Sequence, residues 1–211
     1  MFQRSSTYIM TTKEGSPHLM KPLYWQGYPP TEYADRIANA TPIYFNKLIA
    51  QRQTAEIAGE TEKTVLDGLK KVGYIITMGD DGSGFLFLAL KRAGEYYLDV
   101  GACQLIIDGT IKIKGNTQIE RFTKTGLKFT DGSELQANVI LYATGFGDIR
   151  DPIRKIRGDE VGDKLPQIWG LNDEGELRGN LTWSRFFSKH VALQIKAKQV
   201  GVFGERYSAP R

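Results

Sequence analysis

The sequence predicts an α/β fold, and three observations carry that expectation. Stretches of helical periodicity dominate from Thr31 to Arg92. Short strand-like runs separated by turn residues follow from Tyr96 to Leu135. Then Val139-Ile140-Leu141-Tyr142 forms a continuous apolar run, the pattern of a strand buried on both faces of a parallel sheet.

Taken in order, Met1 to Arg4 reads as the last residues of a buried strand, followed by the polar run Ser5-Ser6-Thr7. Such a strand has no polar lead-in, so the chain is expected to open in the middle of a fold. Thr11 to Pro30 is rich in proline and aromatic residues and reads as an ordered loop stopped by Pro29-Pro30. Thr31 is a good N-cap, with Glu32 and Asp35 in the first turn. Pro42 divides the following pattern into helices over about Thr31 to Asn39 and Pro42 to Ala58. In the second, Ile43, Leu48, Ile49 and Ile57 recur at roughly helical spacing. A third helix is expected over about Glu60 to Lys71, with Gly73 as its stop.

Tyr74 to Thr77 is a short strand candidate. The glycine-rich loop Gly79 to Gly84 leads into an apolar helix over Phe85 to Arg92. Tyr96 to Val100, Ile111 to Lys114, Ile119 to Phe122, Gly126 to Thr130 and Glu134-Leu135 are strand candidates. Asp131-Gly132 marks a hairpin, because both positions tolerate positive φ. A last helix covers about Ser184 to Lys198. The chain thus divides into a helical, aromatic part, 1–93, and a sheet-containing part, 94–211.

Composition narrows the function classes. The chain has 211 residues, 41% hydrophobic and 25% charged, with 28 basic against 24 acidic side chains. These are globular values and argue against wholesale disorder. No apolar run approaches the roughly 20 residues of a membrane span. A net charge of +4, without blocks of like charge, argues against nucleic-acid binding. The single cysteine, Cys103, excludes an internal disulfide and reads as a small buried apolar residue. The opening residues lack the apolar stretch of a signal peptide, so a cytoplasmic, reducing location is expected. The triplets Asn39 to Thr41 and Asn180 to Thr182 are then chance matches to a glycosylation signal.

The motifs are sparse. HExxH, the P-loop and CxxC are all missing, and His18 and His190 lack metal spacing. Gly79, Gly82 and Gly84 do not make GxGxxG, since Phe87 stands three positions after Gly84, and they read as a turn before a helix. Ala143-Thr144-Gly145 places small residues at the carboxyl end of the apolar run. There a ligand can approach the backbone closely, although small residues also serve packing. Arg4 and Ser5 stand at the end of the first apolar run. In a dinucleotide domain, an Arg after the second strand pairs with the 2′-phosphate of NADP; elsewhere it is a surface arginine. Tyr24, Trp25, Tyr28 and Tyr33 read as packing aromatics, with a substrate pocket as the alternative.

These strings occur together in a recognisable order: Phe2-Gln3-Arg4-Ser5, Tyr96 to Gly101, Ile111 to Lys114, Ile119 to Asp131, and Leu141 to Gly147. The combination resembles the carboxyl half of flavin-containing monooxygenases, of fungal type and similar to plant indole-pyruvate monooxygenases. The resemblance implies an incomplete two-dinucleotide-domain, Rossmann-like flavoprotein fold. On that scheme 1–93 is the remainder of an NADPH-binding domain with a helical insertion, and 94–211 is the carboxyl-terminal part of an FAD-binding domain. It further implies FAD and NADPH as cofactors and oxygenation of a small organic substrate through a C4a-hydroperoxyflavin. Arg4 and Ser5 match the NADP 2′-phosphate site, and Ala143, Thr144 and Gly145 the strand end near the flavin. Gly179 and Asn180, with Ser184 and Arg185, match the segment leading into the last helix beside FAD.

The departures from that family are specific. Both GxGxxG fingerprints, whose helix N-termini hold the two pyrophosphates, are missing, and a further stretch is expected between Arg178 and Gly179. The isolated chain is therefore expected to bind little FAD and to be inactive alone. Its missing amino-terminal half, or a flavoprotein partner, is the expected associate. The alternative is a non-catalytic remnant that binds a full-length flavoprotein.

Overall fold

The computed structural model describes residues 1–145, 147–148, 150–165 and 181–204. The fold is mixed helix and sheet, built around the first eleven residues. Strand β1 (Tyr8–Thr11) pairs in parallel with β2 (Tyr96–Asp99), Tyr8 opposite Tyr96 and Thr11 opposite Asp99. Upstream of β1, Phe2 bridges Lys114 and Thr7 bridges Ile76, both in the parallel sense.

The side chain of Gln3 fills the space between these bridges. Its Nε2 donates to the Ile75 carbonyl at 2.8 Å, and its Oε1 accepts the Ile75 N–H at 2.9 Å. A side-chain amide thus satisfies backbone groups that a strand ladder would otherwise satisfy. Met1 to Arg4, Tyr74 to Thr77 and Ile111 to Lys114 make single bridges where the sequence predicts strands, and between the first two segments the Gln3 side chain stands in for ladder bonds. The strand Tyr8–Thr11, in turn, lies between the expected polar run Ser5 to Thr7 and the loop expected from Thr11, where the sequence predicts no element.

Successive residues of β1 point to opposite faces and meet different helices. Tyr8 and Met10 pack with Ile57 and with Leu88 of helix α5 (Gly84–Arg92); Phe85, Tyr96 and Leu98 lie against this cluster. Ile9 packs on the other face with Leu66 and Leu69, Cys103 and Ile106. Leu66 and Leu69 belong to α4 (Lys63–Lys71), Cys103 and Ile106 to α6 (Ala102–Ile107). The result is a helix–sheet–helix sandwich. Burying side chains such as Ile9, Leu69 and Leu88 stabilises it by ~1.5–3 kcal/mol each.

The helices between β1 and α4 begin with α1 (Gly15–Met20). Next come α2 (Thr31–Ala40) and α3 (Ile43–Glu56), which continues into a π-helical turn over Ile57–Thr61. Pro30 and Pro42 sit immediately before α2 and α3 in extended conformation. Proline fits there because the first helical N–H groups have no intrahelical partner. Thr31 is the first helical residue rather than the cap. Gly73, at φ +83°, follows α4 as expected.

A second sheet is an antiparallel meander of β3 (Ile119–Thr123), β4 (Gly126–Phe129) and β5 (Glu134–Gln136). Asp131-Gly132 turns β4 into β5, with Gly132 at φ +82° and its N–H donating to the Phe129 carbonyl at 3.0 Å. Fully buried Phe129 joins this sheet to the amino terminus, its ring 5.1 Å from that of Phe2. Helices α7 (Asp151–Arg157), α8 (Asp159–Lys164) and α9 (Leu181–Gln199) complete the described chain.

The run Val139 to Tyr142 corrects the sequence reading. It is neither strand nor buried: Val139 is 84% exposed and Leu141 90%. A strand buried on both faces needs paired neighbours and a layer on each side, and here none of the described segments pairs with it.

Candidate functional site

In open α/β sheets the carboxyl ends of parallel strands are the ligand-binding edge. Here that edge is formed by Thr11 of β1 and Asp99 of β2. Two buried carboxylates occupy it. Glu62, 1% exposed, follows the π-helical turn, which rotates it inward toward β1. Its Oε1 accepts the Thr11 N–H at 2.9 Å and the Thr11 hydroxyl at 2.6 Å. Asp99 Oδ1 accepts the Cys103 N–H at 3.0 Å, which ties the first turn of α6 to the end of β2. The Asp99 carbonyl accepts both the N–H and the hydroxyl of Thr12.

The edge is therefore closed on itself. Gly15 lies directly above it, and a Cβ there would overlap Met10 and the Glu62 carboxylate. Burial, reinforced by Asp99, pushes the Cys103 thiol up to about 12, so it is not a thiolate nucleophile near neutrality. Burial likewise pushes the Tyr8 phenol up to about 12. No three His, Cys, Asp or Glu side chains among the described residues could hold a metal ion.

The glycine-rich loop is a structural turn. Gly79, Asp81, Gly82 and Gly84 all have positive φ. Three of its amides are used locally: Gly82 donates to Gly79, Ser83 to Asp80, and Gly84 to the Met78 carbonyl at 2.8 Å.

The residues singled out from the sequence lie on different segments of the chain. Arg4 and Ser5 are exposed on the bend between the two bridges, and Arg4 has no hydrogen-bond or ion-pair partner among the described residues. Ala143, Thr144 and Gly145 lie on an exposed segment without strand pairing. Gly179 and Asn180 lie outside the described residues. Arg185, on α9, grips Asp35 on α2, with Nε–Oδ2 2.8 Å and Nη2–Oδ1 2.6 Å. Tyr24 and Trp25 line a shallow surface pocket of about 350 Å³ with Leu23, Gln26, Pro29 and Thr31. Tyr28 and Tyr33 are exposed rather than packed. The sequence reading missed Gln3, Glu62 and Asp99. Only the position of Asp99 at the end of an expected strand offered a signal.

Tested against FAD or NADP, the described residues do not make a dinucleotide cradle. Ala143 to Gly145 lie on no strand–helix turn, and in the first turn of α6 the Cys103 N–H is already taken by Asp99. A pyrophosphate needs several converging free N–H groups at one strand–helix turn.

No protein-family model matches the chain. Over 49 residues it is 43% identical to indole-3-pyruvate monooxygenase YUCCA8 of Oryza sativa subsp. indica, and equally to that of Oryza sativa subsp. japonica. The matched stretch is 23% of this chain and spans about a tenth (11%) of the length of these curated relatives.

Proposed function

We propose that the chain is part of an FAD- and NADPH-dependent monooxygenase that oxygenates a small organic substrate. The observation that carries this reading is the 43% identity over 49 residues to two indole-3-pyruvate monooxygenases. The parallel arrangement around β1, with helices on both faces, supports it, because dinucleotide domains are built in this way. On this reading 1–93 belongs to an NADPH-binding domain and 94–211 to an FAD-binding domain. Arg4 and Ser5 would meet the NADP 2′-phosphate, and their exposure leaves them open to a ligand. Ala143, Thr144, Gly145, Gly179 and Asn180 would lie near the flavin. Since the described residues make no pyrophosphate cradle, those groups must come from chain or partner beyond them.

The test is to immunoprecipitate the protein from its source with an antibody against residues 184–199 and to assay the released flavin. Stoichiometric FAD in a species heavier than 23.7 kDa is the expected result. A flavin-free species of 23.7 kDa would overturn the reading. The second reading, a non-catalytic partner of a full-length flavoprotein, draws on the exposed apolar run at Val139, Leu141 and Tyr142. It predicts a 23.7 kDa chain that co-precipitates with a separate, heavier flavoprotein.

A further inference from the structure

Helix α3 packs on one face with small side chains and, among the described residues, leaves its apolar face unpacked. Its inner face carries Ala50 and Thr54, both buried, against α5 and the 79–84 loop. Lys47 pairs with the Asp81 carboxylate, and Gln51 Nε2 donates to the Asp81 carbonyl at 2.7 Å, fixing the rotation of the helix. That rotation turns Tyr44, Phe45, Leu48 and Ile49 outward, at 76%, 56%, 62% and 40% exposure. Arg52, 83% exposed and paired through Nε with Glu56 on the same helix at 2.8 Å, continues the same line one turn after Leu48.

We infer that this outer ridge is a homodimer interface, in which α3 packs antiparallel on α3 of a second copy about a two-fold axis at Leu48. The ridge is self-complementary only in that sense. With the axis at Leu48, Arg52 of each copy faces Tyr44 of the other, a cation against an aromatic ring. Parallel packing would instead set the two Arg52 side chains against each other. Antiparallel packing also opposes the helix dipoles.

The area is sufficient. Five such half-exposed large side chains contribute roughly 100–120 Å² each, so about 1,100 Å² in the pair, near the lower bound of specific interfaces. Charge disfavours a lipid surface as the occupant. Residues 31–56 carry three basic side chains, Arg36, Lys47 and Arg52, against three acidic ones, Glu32, Asp35 and Glu56. Interfacial helices carry a basic excess. The inference stands independently of the proposed activity.

Sedimentation velocity on the 211-residue chain between about 1 and 100 µM tests it. A concentration-dependent dimer is expected, and Leu48→Glu should make it monomeric without changing the circular dichroism spectrum. Arg52→Ala should weaken the dimer about 3- to 10-fold. Crosslinking gives an independent readout, because Cys103 is buried and an introduced thiol would be the accessible one. Leu48→Cys should form a disulfide dimer on mild oxidation. Ala55→Cys lies two turns along the same ridge and should not, because the antiparallel geometry holds the two positions roughly 20 Å apart. A chain that stays monomeric at 100 µM would overturn the inference. So would equal crosslinking at the two positions, or Leu48-dependent binding of a monomer to phosphatidylcholine vesicles.

Discussion

Arg185 and Asp35 are 150 residues apart in sequence and form a two-point ion pair that fastens α9 to α2. Asp35 is 4% exposed and also accepts a hydrogen bond from the Tyr24 hydroxyl at 3.1 Å. It lies under a thin cover, close to the surface, with Arg185 half-exposed above it. The Arg185 hydrogen bonds hold the Asp35 carboxyl below its usual range, against the effect of burial. Water therefore screens part of the attraction, and Asp35→Ala should cost about 1 kcal/mol rather than the larger amount of a deeply buried pair. The clearer effect should be local. Limited proteolysis should cut within 181–199 several-fold faster in Asp35→Ala than in the parent, and unchanged cutting would show that α9 is held elsewhere.

Alkaline pH should destabilise the fold well before the native groups titrate. Tyr8, Tyr24 and Cys103 are each pushed up to about 12, primarily by burial. In the unfolded chain they titrate near 10, 10 and 8.5. Between about pH 9 and 12 the unfolded state has thus released protons that the folded state keeps, and stability falls as pH rises. Urea midpoints measured at pH 8, 9, 10 and 11 should decline steadily. Cys103→Ala should shift the onset of that decline upward by removing the group that titrates first.

Two glycines only two positions apart should respond differently to alanine. Gly82 and Gly84 both have positive φ, at +75° and +61°. At Gly82 a Cβ meets nothing within 4 Å, whereas at Gly84 it overlaps the Thr54 hydroxyl. Gly82→Ala should cost only the backbone strain, about 1 kcal/mol, and Gly84→Ala about 3 kcal/mol or more. Chemical denaturation of both variants checks the difference.

Glu62 should matter through its acceptor oxygen. Removing it leaves the half-buried Thr11 N–H and hydroxyl without their partner, a loss of about 1–2 kcal/mol for Glu62→Ala. Glu62→Gln retains an oxygen at the same place and should lose less than half as much. Equal losses would mean that the charge, and not the acceptor geometry, holds the site.

The sequence by itself determined the local features. Proline before α2 and α3, Gly73 after α4, the strand Tyr96–Asp99 and the Asp131-Gly132 hairpin were all legible. Each depends on φ/ψ limits or on neighbouring side chains, which act within a few residues. The candidate cofactor residues were legible only as motifs. The tertiary structure decided that Gln3 replaces a strand pairing, and that Glu62 and Asp99 close the parallel edge. It exposed Leu48 and Val139, whose apolar character alone reads as buried. Hydropathy records that a side chain avoids water. Whether a partner covers it depends on elements brought together from distant positions, as Asp35 and Arg185 are, and no spacing within a single segment encodes that.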